Sequence, residues 1–393
     1  MTAVTETPIE YDPLSRNVQD DPYPYYHRLL DEAPVYHNPD LGIWALSRYF
    51  DVQKALRDWK TFSSAEGVNL EPGFTELIGP EILNMDPPRH DLLRRVVRHN
   101  FTRSTIGGYE NIVRSFAEEL LDRLIGAGGG DFATDFSHRL PVLVICKLMG
   151  IPLEDEGKVR RLAADMLLYL SGTKEHVETA TAAGNELREY FEHLVKARCQ
   201  LPKDDTISAL ANAEIDGKPL APEEIFGMCL IIYLAGNTTT SSLVSNGLYV
   251  LARHPSQRAL LAADLGAIEA GVEELLRFES PVQWSSRVTT CQVELHETII
   301  PEGARVMMLL GAAHRDAQQW EDPNTLNVLR PPKPHLAFAE GVHFCIGAPL
   351  ARLEGRIAFE IVLSRIPDYQ LAGEVERLHI STERGLARLP LSI

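Results

Sequence analysis

The sequence predicts a mainly α-helical protein with small β-sheets, an α+β fold in a single domain over residues 1–393. Three observations predict it. Apolar residues recur at i, i+3, i+4 and i+7 spacing over long stretches. Strand-like runs are few and short. No internal repeat, low-complexity tract or linker-like boundary divides the chain. A chain of 393 residues, 45% hydrophobic and 24% charged, can bury a large core.

The elements follow in order. "GIWALSRY" at 42–49 reads as a strand. "YENIVRSFAEELLDRLIGAGGG" at 109–130 is an amphipathic helix with a glycine stop, and "TATAAGNELREYFEHLVKAR" at 179–198 is another. Residues 222–255 predict one very long helix, opening with Pro222 and two acids and closing with Arg253, His254 and Pro255. At ~1.5 Å per residue it would run about 45–50 Å. "CQVEL" and "ETIIPEGARVMML", between 291 and 309, are strands, and "EDPNTLNVLRPPKP" after them is an irregular meander.

The formal net charge of −17 excludes nucleic acid and anionic membranes as expected partners. The first 26 residues are polar and acidic, without the apolar run of a signal peptide. Apolar stretches such as "MCLIIYLAG" at 228–236 fall short of the roughly 20 residues of a membrane helix. Five scattered cysteines with no C-x-x-C pair argue against a disulfide framework and structural zinc, and for a reducing cytoplasm. Against the overall charge, residues 87–103 hold five arginines (Arg89, Arg94, Arg95, Arg98, Arg103) and one acid, Asp91. Taken alone, such a run is a solvated helix face.

Chemistry concentrates around Cys345, in "HLAFAEGVHFCIGAPLARLE". The thiol precedes a helical pattern with Pro349 in its first turn, so a dipole end and unpaired N–H groups should favour its thiolate. Gly341 and Gly347 bracket the sulfur without side chains, leaving room for a flat, bulky ligand. For the other four cysteines, Cys146, Cys199, Cys229 and Cys291, a buried structural thiol is expected. Glu274 and Arg277, three apart in "EELLRF", share a helix face. The long helix carries "LAGNTTTSSLV" at its middle, where buried hydroxyls must find partners and can bond back to the i−4 carbonyl.

Together these stretches resemble the cytochrome P450 family. "FAEGVHFCIG" is similar to its haem-ligand loop, matched at Phe338, Gly341, His343, Cys345 and Gly347; Ala339 stands where the family usually has glycine. Glu274 and Arg277 resemble its E-x-x-R pair, with Arg330 in the meander completing the cluster. "HDLLR" resembles its H-x-x-x-R at His90 and Arg94. "AGNTTT" is similar to its oxygen-binding turn at Ala235, Gly236, Thr239 and Thr240, but Thr238 replaces the acid.

The resemblance implies the family's triangular prism, with haem b (iron protoporphyrin IX) between the long central helix and the cysteine loop. It implies Cys345 as the iron ligand, propionate contacts from His90, Arg94, Arg287 and His343, and a structural Glu274–Arg277–Arg330 cluster. Ala235, Gly236, Thr238 and Thr239 would manage oxygen and protons, with Thr238 making activation slower or leakier. Leu234, Val282, Gln283 and Trp284 would line a mainly apolar pocket with one amide. The implied enzyme is a monooxygenase that uses O₂ and two electrons to hydroxylate or O-dealkylate a small to medium apolar substrate, with aromatic and terpenoid compounds the candidates. A ferredoxin with its reductase would dock on Arg95, Arg98, Arg103, Arg352 and Arg356 of a monomer. A peroxide-driven haem-thiolate enzyme and a non-enzymatic haem sensor are the alternatives.

Overall fold

A computed structural model describes residues 9–171 and 174–393. The expected 1–393 domain range includes residues 1–8, 172 and 173, which lie outside them.

The long helix runs unbroken from Pro222 to Arg253. Pro222 occupies its first turn, and the Glu224 carboxylate accepts the Ala221 N–H at 3.2 Å, so one orphan donor of the helix start is satisfied. The helix is buried on nearly every side, which an apolar composition without a polar face requires. Two glycines let neighbours come close. A Cβ at Gly247 would lie 2.3 Å from the Phe359 ring, and one at Gly236 would lie 2.8 Å from Ile145 Cδ1. The first contact sets the crossing with the helix Ala348–Arg365 that follows Cys345; Leu243 against Gly355 extends it.

The expected helix at 109–130 is Glu110–Ala127, stopped by Gly128 in the left-handed conformation (φ 76°). The one at 179–198 starts earlier, at Lys174, and runs to Gln200, because Val177 and Ala180 continue the apolar stripe toward the N-terminus. The main sheet has five strands, ordered Val35–Asn38, Ile43–Leu46, Arg305–Met308, Ser285–Thr289, Phe62–Ser63. Arg305–Met308 runs parallel to Ile43–Leu46 and antiparallel to Ser285–Thr289. "CQVEL" and "ETII" form a separate hairpin, Val293–Leu295 with Thr298–Ile300. The meander is held by short-range bonds such as Arg330 N–H to Asn327 O, 2.8 Å. No helix of the described residues is long and apolar enough to cross a membrane.

Candidate functional site

The cysteine loop is closed by its own backbone: Cys345 N–H donates to Phe338 O at 2.9 Å, and Ala339 N–H donates to Leu336 O at 2.9 Å. Glu340 ties it to the neighbouring helix through Gln53 (3.0 Å) and Arg57 (2.5 Å). Gly341 has φ 72°, and a Cβ there would lie 2.8 Å from Leu56 O and 2.9 Å from Arg57 Cα. Its need for glycine therefore comes from protein backbone, which corrects the expectation of ligand clearance. At Gly347, by contrast, the atom within 4 Å of a Cβ among the described residues is Cys345 Sγ, at 3.8 Å. Ala339 adopts φ 54°, so the missing glycine is replaced at a position that strains any side chain.

Burial raises the Cys345 thiol pKa; N–H bonds from Gly347 and Ala348, with the charges of Arg94 and Arg352, oppose the rise. The expected lowering by the helix start is present, but desolvation outweighs it.

Four basic side chains gather beside this loop. The His90 and His343 rings lie 4.6 Å apart. His343 Nε2 is 3.1 Å from Ser64 Oγ. Burial, then Arg287, His90 and Arg94, push the His343 pKa down to about 2. Arg94 donates to Phe344 O. Arg287 donates to Ser285 Oγ (2.8 Å) and Ser286 O (2.7 Å), and burial lowers its pKa to about 10 against the pull of Asp86. His90 Nδ1 meets Asp91 at 2.8 Å, while its buried Nε2 has no partner among the described residues.

Beneath the loop, Arg277 forks onto Glu274 at 2.7 and 2.8 Å, and Arg330 Nε reaches the same carboxylate at 3.2 Å. Glu273, one residue earlier, was not singled out in the sequence. It holds Arg352 at 2.7 and 2.8 Å and His335 at 3.1 Å. Burial pushes the Glu273 pKa up, but these partners hold it down at about 2. The arginine patch is correspondingly smaller than expected. Arg352 is spent on Glu273, Arg356 on Glu110 (2.9 Å) and Glu360 (2.8 Å), and Arg89 on Glu224. Arg95, Arg98 and Arg103 are exposed, as is Phe344, whose carbonyl accepts from Arg94.

In the threonine-rich turn the hydroxyls bond back to the helix: Thr239 to Ala235 O (2.9 Å), Ser241 to Asn237 O (2.8 Å), Thr238 to Leu234 O (3.4 Å). Thr238 also donates to Glu383 Oε1 at 3.0 Å. Nothing in the local sequence signalled Glu383, which lies 145 residues on.

Two expected pocket residues are structural. Trp284 is 1% exposed, donates to Ser381 O at 2.6 Å and packs with Tyr11 and Tyr26. The Gln283 amide donates to Ser280 O (2.7 Å) and accepts from the Tyr26 hydroxyl (3.1 Å). A buried amide must be paired, and the pairing fixes it in the core. Val282 is half-buried, Leu234 is in the main core, and Ala235 is exposed.

With this geometry in place, similarity to known proteins is informative. The sequence profile of the family described as Cytochrome P450 matches residues 42–367. The chain belongs to the cytochrome P450 family. The putative cytochrome P450 123 of Mycobacterium tuberculosis is 37% identical over 387 residues, 97% of this chain and 96% of that protein. The P450 PksS of the Bacillus subtilis bacillaene synthase superposes with a TM-score of 0.89 at 31% identity, covering 98% of this chain and 99% of that one. CYP109E1 from Bacillus megaterium, solved in complex with testosterone, gives 0.88 at 30% identity over 96% and 99%.

The protein is thus a haem-dependent P450 monooxygenase acting on an organic substrate and O₂. Its residues fit a haem. Arg94, Arg287, His343 and His90, whose Nε2 has no partner among the described residues, stand together with Asp86 and Asp91 as the nearby carboxylates among the described residues, a cluster that calls for further carboxylates such as propionates.

Proposed function

We propose that this P450 monooxygenase hydroxylates or O-dealkylates a small to medium apolar molecule, with electrons delivered by a ferredoxin and its reductase. The observation that carries the reading is the half-buried Cys345 sulfur at a helix start, facing the N–H groups of Gly347 and Ala348 and the charge of Arg94. In this reading Cys345 would hold the haem iron through its thiolate. When bound, the haem supplies oxygen activation, which a thiolate ligand favours by pushing electron density toward the O–O bond.

The chain's own residues do the rest. Gly347 and Ala348 stabilise the sulfur as an anion, and the Arg94 charge works in the same direction. Arg94, Arg287, His90 and His343 bind and orient propionates. Thr239 and Thr238 hold protons on the oxygen side, and Ala235 and Gly236 keep that turn free of bulk. Glu274, Arg277 and Arg330 brace the core below.

The substrate class follows from the loop at 61–88, which contains no lysine or arginine. Burial raises the pKa of its Glu71 and pushes that of Glu81 up to about 8, so both favour the neutral form. Such a wall repels a carboxylate less than its acid count suggests, yet offers it no anchor. A steroid in the B. megaterium relative agrees with an apolar ligand. The exposed Arg95, Arg98 and Arg103 are the proposed docking face for an acidic ferredoxin.

The test is spectroscopic. The reduced protein under carbon monoxide should give the red-shifted thiolate band, and Cys345→Ser should abolish it. Testosterone, monoterpenes and small aromatic ethers titrated into the ferric protein should produce a spin shift with at least one compound. Absence of the thiolate band in the parent overturns the reading.

A further inference from the structure

Position 238 lacks a carboxyl group, but the space around it does not. Glu383 lies in the segment joining Ile380 and Arg384, which bridges back to Val282. This C-terminal turn packs along one face of the long helix. Asn246 donates to Arg384 O at 2.7 Å, a Cβ at Gly385 would lie 2.3 Å from Ser242 Oγ, and Thr238 donates to Glu383 Oε1 at 3.0 Å. Residues 238, 242 and 246 are four apart, so one helical stripe receives the whole turn. Glu383 Oε2 and Ser242 Oγ are both buried and have no hydrogen-bond partner among the described residues. A carboxylate left this way is costly, because a buried charge needs compensation.

We propose that Glu383, lent by the C-terminal turn and held on Thr238, is the proton-holding acid of the oxygen-side turn in this enzyme. The proposal rests on the monooxygenase reading above. Glu383 acts through Thr238 and is a positioning residue.

The step is a proton transfer only. The carboxyl O–H bond breaks as an O–H bond forms on the next hydroxyl or water toward Thr239, and that oxygen in turn releases its own proton onward, so each relay oxygen gains one O–H bond as it loses another. The electron pair stays on the carboxylate, and solvent returns the proton. Burial pushes the Glu383 pKa up to about 7, with the Thr238 bond opposing, so the group exchanges its proton near neutrality. The charged and titratable groups around it are otherwise engaged. Glu279 takes Arg384 (2.7 Å), Arg377 (3.1 Å) and the Tyr23 hydroxyl (2.7 Å). Tyr26 bonds to Gln283 and His379 to Asp20. The facing stripe of the long helix, Thr238, Ser242 and Asn246, is uncharged.

The experiment compares Glu383→Gln, Glu383→Asp and the double variant Thr238→Asp/Glu383→Gln as holoenzymes. Glutamine still accepts the Thr238 hydrogen bond, so a purely structural role predicts parental behaviour. The first readout is the infrared C=O band of a protonated carboxyl, followed on photolysis of the carbon monoxide complex. It should titrate near pH 7 in the parent and be missing in Glu383→Gln. The second readout is the pH profile of ferredoxin-driven NADPH oxidation with the compound giving the largest spin shift. Glu383→Gln should lose about 10²-fold in rate, the lower end of what a positioned acid contributes. Its fall above pH 7 should flatten, while Glu383→Asp and the double variant recover part of the loss. An unchanged carboxyl band, or a parental pH profile in Glu383→Gln, overturns the proposal. Loss of the thiolate band in the parent would instead sink the monooxygenase reading, so the two failures are distinguishable.

Discussion

The cysteine loop and the threonine-rich turn of the long helix are built by opposite means. The loop is made from contiguous chain: Phe338 O meets Cys345 N–H, Leu336 O meets Ala339 N–H, and Gly341 fits its backbone against Leu56 and Arg57. The turn at 235–241 closes only its hydroxyls locally and receives its carboxyl group from Glu383. A loop closed on itself cannot change one residue without strain, as Ala339 at φ 54° illustrates. A turn supplied from elsewhere can give up a side chain, provided another segment brings the chemistry back.

The largest effect should come from the support under the loop. Glu274→Gln preserves volume but leaves Arg277, which is 1% exposed, without its counter-charge. Removing one partner of a buried pair costs about 3–5 kcal/mol. The lower end applies here, because Arg277 keeps its bonds to His314 O (2.9 Å) and Pro323 O (2.8 Å). Urea unfolding of the holoenzyme measures it; parental stability would show that the loop does not depend on this cluster.

The exposed edge of the same side gives the next effect. Arg98→Glu should slow ferredoxin-driven reduction about tenfold at low salt, within the usual range for electrostatic steering. Reduction by dithionite should be unchanged, and the gap should narrow as salt rises. Equal ferredoxin rates for variant and parent would remove Arg95, Arg98 and Arg103 as the docking face.

The contrast also explains what could be read from the sequence. The helices at 110–127 and 222–253, the strands at 43–46 and 305–308 and the Glu274–Arg277 pair all have local periodicity or spacing behind them. Glu273, Ser64 and Glu383 act across 62, 279 and 145 positions, and no spacing rule covers such pairs. Gln283 and Trp284 were misread for a related reason: whether a polar side chain lines a pocket or is consumed in the core depends on Ser280, Ser381 and Tyr26, which only the fold brings together. The arginines of 87–103 show the same limit, because charge in sequence says nothing of which guanidinium is already paired.

Glu383 provides a test on the oxygen side that needs no substrate. An acid with a folded-state pKa raised to about 7 binds its proton more tightly folded than unfolded. Its contribution is therefore full at acidic pH and is lost as pH rises from the ordinary carboxylate range through about 7. Parent stability should fall across that window relative to Glu383→Gln, by roughly 2 kcal/mol, discounted because the residue is only half-buried although Oε2 is shut from solvent. Urea midpoints at pH 5 and pH 8 decide it; a gap that does not change with pH would mean Glu383 is ionised throughout.

The smallest effect returns to the loop. Left-handed backbone costs a residue with a Cβ about 1–2 kcal/mol, so Ala339→Gly removes that strain. Glycine also widens the unfolded ensemble, which takes back about 0.5–1 kcal/mol. The net expectation is stabilisation of about 0.5–1 kcal/mol, a rise of about 1–2 °C in a chain of this size. Ala351→Gly, in the helix that follows, should go the other way by about 1 kcal/mol, because there glycine only loses helix propensity. Opposite signs for one chemical change, twelve residues apart, would tie the gain to the φ of Ala339. The same sign at both sites would mean that the loop carries no strain and that its departure from glycine has no energetic consequence.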